Sequence, residues 1–201
     1  MNSISKLRHP TPRTRVTLRA AIALGAALVG LGVALALPQS VARAGTDCSS
    51  LDIELKDPGE FTKVACDEGS FRHGDVSGTG EVIAAQNDRS VFSIRHVAAG
   101  PRTFIEERDP KTVVQNEFGK SENWSAAPGG KGFTVMRFTG WLKDSPNLRL
   151  SCFGFVHFSG HVDRSTGYRH RVSGFYCANQ DSEITDAETR RLIGNLKLHF
   201  E

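Results

Sequence analysis

The feature that most limits how this chain can fold is the stretch Leu148 to Asn179, LRLSCFGFVHFSGHVDRSTGYRHRVSGFYCAN. Two apolar runs flank the turn Asp163-Arg164-Ser165-Thr166-Gly167, and each run carries one cysteine. A turn centred on Arg164 and Ser165 sets Cys152 directly opposite Cys177 in an antiparallel pair. Opposed residues have Cβ atoms about 4.5–5.5 Å apart, and a disulfide needs roughly 3.5–4.5 Å. One register therefore closes the turn and brings the two sulfurs nearly into bonding range. The spacing predicts a β-hairpin carrying a Cys152–Cys177 bond.

The same register sorts the side chains, because a strand alternates faces with period two. Cys152, Gly154, Val156 and Phe158 share one face with Cys177, Phe175, Ser173 and Arg171. Phe153, Phe155, His157, Ser159 and His161 share the other with Tyr176, Gly174, Val172, His170 and Tyr168. Near the cysteines both faces are apolar, which predicts burial on both sides. Near the turn, His157, Ser159, His161, Tyr168 and His170 gather on one face. Together with Arg171 they form the candidate ligand-binding set.

Each chemistry open to that set meets a geometric limit. His157 and His161 lie four residues apart on one strand, so their Cα atoms are about 13 Å apart at about 3.3 Å per residue. They cannot share a tetrahedral metal unless the strand bends, and zinc takes three or four protein ligands. Ser159 opposite His170 resembles half of a nucleophilic triad, but the nearby acid, Asp163, sits in the turn and nothing marks an oxyanion hole. Anion docking fits better, since Arg164, Arg169, Arg171 and three histidines face one carboxylate, Asp163. Arg169 and Arg171 should project away from His170, which argues against a single pocket. The plain alternative is a solvated basic hairpin tip. G-x-S-x-G and H-E-x-x-H are absent, and Gly129-Gly130-Lys131-Gly132 lacks the spacing of a phosphate loop. No cofactor and no metal are implied.

The amino-terminal 44 residues carry six basic and no acidic residues. Ala20 to Leu37 is an unbroken apolar run, ended by Pro38 and followed by Ala42-Arg43-Ala44. Basic region, apolar region and A-x-A site predict a secretory signal cleaved after Ala44. The competing expectation is an uncleaved anchor, because the run is nearly long enough to span a bilayer, where about 20 residues is usual. The whole chain holds 25 Lys and Arg against 22 Asp and Glu. Without residues 1–44 the balance is 19 against 22, a net charge of −3. A mildly acidic chain gives no electrostatic case for nucleic acid. All four cysteines lie beyond residue 44. An even number in an exported chain implies two disulfides, and the hairpin pair leaves Cys48 to bond Cys66.

Residues 45–201 are expected to form one domain. Leu51–Lys56 and Phe61–Cys66 alternate as strands, and residues 67–80, rich in Gly, Asp and Ser, read as a loop. Glu81–Ala85 and Val91–Val97 flank a turn, and Arg102–Glu107 is a further strand. Asp109-Pro110 starts a short helix over Pro110–Phe118 with Gly119 as its terminator. Residues 120–132 read as a loop, and Phe133–Leu142 leads as a strand into the hairpin. Thr185-x-x-Glu188 is a capping box opening a helix that Gly194-Asn195 ends, and Leu196–Phe200 is a short last strand. The fold class is α+β: an antiparallel meander packed by a short middle helix and a C-terminal helix.

The order Cys-Phe-Gly-Phe (152–155), a His/Arg turn, Gly-Phe-Tyr-Cys (174–177) and a closing helix resembles small uncharacterised exported proteins of proteobacteria, over residues 133–200. The arrangement is also similar to the PsbP/Mog1 type of α+β sandwich. Neither resemblance supplies catalytic residues. The expectation is a periplasmic or secreted, non-enzymatic domain that binds a partner protein or a small, anionic ligand. The alternatives are a small enzyme using His157, Ser159 and His170, and a membrane-tethered accessory protein held by an uncleaved residue 20–37 segment.

Overall fold

The computed structural model describes residues 48–73, 76–162, 167–180 and 182–201, apart from the side chains of 72, 73 and 76. The expected leader, the cleavage site and the hairpin turn at 163–166 lie outside the described residues. A 3-10 turn at Cys48–Ser50 leads into β1 (Ile53–Leu55). There follow β2 (Lys63–His73), β3 (Val76–Gln86), β4 (Ser90–Ala99) and the two-residue β5 (Ile105–Glu106). Helix α1 (Pro110–Val114) continues as a 3-10 turn, Gln115–Glu117, into β6 (Phe118–Ala127). Then come β7 (Thr134–Leu142), β8 (Leu150–His161), β9 (Gly167–Asn179), α2 (Asp186–Gly194) and β10 (Leu196–Leu198). Among the described residues no helix is long and apolar enough to cross a membrane.

The main sheet is antiparallel, in the order β2-β3-β4-β9-β8-β7-β6, with β5 added along β9. The chain's first and last strands, β1 and β10, form a separate two-stranded ribbon. The α+β class therefore holds, with antiparallel sheet dominant. β7, β8 and β9 form the expected meander. The hairpin register is as read from the cysteines: Cys152 faces Cys177, Ser159 faces His170 and His161 faces Tyr168. Both disulfides are present, Cys48–Cys66 and Cys152–Cys177.

Three local expectations are corrected. Residues 67–73 and 76–80 are not a loop: β2 and β3 pair along them as a long ribbon. Residues 120–127 belong to β6, whose register shifts between Glu122 and Ser125, where Asn123 takes a φ of 59°. That extra residue breaks the alternation a strand would otherwise show. The middle helix is shorter than Pro110–Phe118, because Phe118 already begins β6 and Gly119 continues it. Its start is as expected, with the Asp109 carboxylate accepting from the Thr112 N–H at 2.7 Å. At the second helix the Thr185 hydroxyl accepts from the Glu188 N–H at 3.1 Å. The Glu188 carboxylate accepts from the Tyr176 hydroxyl at 3.2 Å.

The sheet buries both faces along β4, β9 and β8, as parity predicts. On one face Phe92, Ile94, Phe153, Phe155, Val172 and Tyr176 form the larger core with the β1–β10 ribbon and with Leu192 and Ile193 of α2. On the other, Val91, Phe138, Leu150, Phe175 and the Cys152–Cys177 bond pack beneath Val114 and Phe118. Helix α1 sits close because β8 offers Gly154 beneath it. A Cβ there would lie 2.9 Å from the Val114 side chain.

Candidate functional site

The structure divides the candidate set between the two faces of the sheet. On the face of the larger core, β4 contributes a residue that local reading missed. His96 is 1% exposed and follows Phe92 and Ile94 at the parity of the buried face. Its Nδ1 is 3.2 Å from Glu81 Oε2, and its Nε2 is 3.1 Å from His170 Nδ1. An ionised carboxylate only accepts, so the proton of a neutral His96 sits on Nδ1 and Nε2 accepts from His170. Phe200 stacks over both imidazoles, with ring centroids 4.3 Å and 4.5 Å away. Burial, helped by the neighbouring His96 and by Arg169, holds His170 below its ordinary value against the opposing pull of Asp52 and Glu201.

His157 is buried as well, against the ring of Phe133. Its Nδ1 is 3.1 Å from the Gly132 carbonyl and its Nε2 is 2.5 Å from Glu201 Oε1. His157 and His170 thus share a face but serve different neighbours. Among the described residues the Ser159 hydroxyl has no hydrogen-bond partner, so it is not bonded to His170, whose Nδ1 is engaged by His96. His161 is exposed, packing edge-on to Tyr168 at 5.5 Å. The Tyr168 hydroxyl donates to Glu107, whose charge raises the Tyr168 pKa. Between these pairs lies Gly160, where φ is 66° and a Cβ would meet Arg169 at 3.0 Å.

One set of side chains on this face has metal-ligand chemistry. Asp52, Glu81 and His96 bring one donor atom each within 4.8 Å of one another. Glu81 is already engaged there, since both its carboxylate oxygens accept from the Asp52 N–H at 3.1 Å.

Arg171 lies on the opposite face. It borders a cavity of about 40 Å³ between the sheet and α1, lined also by Ser93, Arg95, Ser173, Glu117, Val113 and Phe175 among others. Arg95 is half exposed at the rim and pairs with Glu117 at 2.7 Å. Arg108 pairs with Glu106 at 3.2 Å. Arg169, two residues earlier on β9, donates to the carbonyls of Gly100 and Thr103 at 3.1 Å each. Arg171 differs from all three. Its Nε is buried without a hydrogen-bond partner, and among the described residues no carboxylate pairs with its guanidinium. Burial, together with the charges of Arg108 and Arg95, lowers its pKa from the ordinary arginine value. The side chain as a whole is only partly buried, but its buried Nε has no acceptor, so this cavity is bordered by a cation with unmet hydrogen-bonding capacity.

No protein-family model, no curated protein and no solved structure matches the chain. The two disulfides fit an extracytoplasmic domain, where thiols are oxidised.

Proposed function

We propose that this is an exported, periplasmic or secreted domain that binds a ligand or partner without transforming it, and that its ligand face is the α1 side of the sheet. The observation that carries this reading is Arg171, a partly buried arginine whose buried Nε has no partner, beside a cavity that reaches the surface at Arg95. The histidines favoured by spacing argue for the same side by elimination. His157 and His170 are each engaged by another side chain and lie under Phe200 or against Glu201. An enzymatic use of His157, Ser159 and His170 is less well supported, because among the described residues Ser159 is hydrogen-bonded to neither ring.

Native mass spectrometry of the protein recovered from its own cell envelope tests the reading. The expected result is added mass that Arg171→Ala abolishes and His170→Ala retains. Added mass that persists in Arg171→Ala and disappears in His170→Ala would overturn the assignment of the face.

A further inference from the structure

The cavity beside α1 also restricts what can enter it. A water needs roughly 10–15 Å³ of such space, so about 40 Å³ admits about three heavy atoms. That is the size of a carboxylate head, and because the cavity opens at Arg95 the remainder of a larger ligand would lie outside it. The inner wall carries Arg171, and a guanidinium presents its donors in a planar fork that matches the two oxygens of a carboxylate. The hydroxyls of Ser93 and Ser173 line the same space, and Val113, Val114 and Phe175 give it an apolar side. The mouth already holds one carboxylate of the chain's own, since Glu117 pairs with Arg95 there.

We propose that this cavity takes the carboxylate of a small organic acid, held by Arg171 from within and by Arg95 at the mouth, with Glu117 as the group it displaces. The proposal rests on the ligand face assigned above and adds the chemistry of the occupant. The incoming carboxylate supplies an acceptor to the guanidinium of Arg171, which has no carboxylate partner among the described residues. It also replaces Glu117 on Arg95, so the number of ion pairs at the mouth is unchanged while one is gained inside. Of the two arginines that line the cavity, Arg95 is paired with Glu117, which leaves the charge of Arg171 for one negative head group. Glu117 is then a competitor built into the fold, and it sets how tightly the acid binds. The apolar wall favours an acid with a short hydrocarbon chain over a polyanion.

The test titrates acetate into the full, disulfide-bonded protein and follows its thermal midpoint and the line width of carbon-13 labelled acetate. Acetamide serves as the neutral isostere and inorganic phosphate as the rival anion. Acetate should raise the midpoint in a saturable way and acetamide should not. Arg171→Lys, which keeps the charge but loses the fork, should weaken acetate binding at least tenfold. Glu117→Gln, a substitution at a partly exposed site, should tighten it several-fold by removing the competitor. Equal effects of acetamide and acetate, undiminished binding by Arg171→Lys, weaker binding by Glu117→Gln, or a response to phosphate alone would each overturn the proposal. The two readings fail separately. A neutral molecule retained by the native protein and lost in Arg171→Ala would leave the ligand face standing and remove the carboxylate. A ligand lost only in His170→Ala would remove both.

Discussion

The two faces of the central sheet solve the same problem in opposite ways. Each places charged or titratable side chains beyond the apolar patch around Cys152 and Cys177. On the histidine face every buried ring nitrogen named above meets another protein atom: His96 lies between Glu81 and His170, and His157 between Gly132 and Glu201. Phe200 then covers the pair. On the arginine face a short helix covers the sheet incompletely, and the guanidinium of Arg171 is left with an unmet donor. The contrast teaches that a cluster of reactive residue types is not by itself a site. What separates a site from a structural network is hydrogen-bonding capacity left over after folding.

The largest test of this comparison is in the cores. Phe155 is fully buried among Phe92, Phe133 and Phe153 on the histidine face. Phe155→Ala should cost about 3–5 kcal/mol, as aromatic truncations in closed cores do. Phe175 borders the cavity on the other face, so Phe175→Ala should cost clearly less in the same urea titration. Equal losses would erase the difference in closure. Next, the Cys152–Cys177 bond lies in the arginine-face cluster. Replacing both cysteines with alanine should lower stability by about 2–4 kcal/mol. Hydrogen exchange should then rise first around Phe138 and Val114 and last around Phe92 and Val172.

A pH series separates the faces further. His170 is held below its ordinary value, which is about 6.5. Between that value and the lowered one, the unfolded chain takes up a proton that the folded chain refuses, so stability falls as the pH falls through this window. His170→Gln should flatten that part of the curve, measured as urea midpoints from pH 7.5 down to pH 5. An unchanged slope would show that the His96–His170 contact does not control the titration. The smallest effect belongs to the mouth of the cavity. Arg95 and Glu117 are both partly exposed, and Glu117→Gln should change stability by no more than about 1 kcal/mol.

The sequence was most informative where two independent constraints met. The turn and the cysteines both required one hairpin register, and Cys152 faces Cys177 as that register demands. It was silent where a strand lacks a buried face. β2 is exposed along almost its whole described length, and its Gly, Asp and Ser residues are held by pairing with β3 rather than by burial. β6 was hidden by its polar run Lys120-Ser121-Glu122-Asn123 and by the register shift that follows. The His96–His170 contact spans 74 residues, so no local spacing announces it. A signal did exist in parity, because Phe92, Ile94 and His96 occupy alternate positions of one strand. The opposite orientation of Arg171 and His170 followed from that same alternation. The unpartnered Nε did not, since it depends on where α1 and Glu117 come to rest.

The β1–β10 ribbon has a mechanical consequence. Ile53 pairs with Leu198 and Leu55 with Leu196, so the chain arriving at β1 and the chain leaving β10 depart from the same end of the ribbon. Tension applied through those two segments loads the hydrogen bonds one after another, as in peeling, instead of all together, as in shear. The Cys48–Cys66 bond changes where that tension goes. It ties the approach to β1 directly to β2, so a pull on the incoming chain bypasses the ribbon and arrives at the edge of the large sheet through a covalent link.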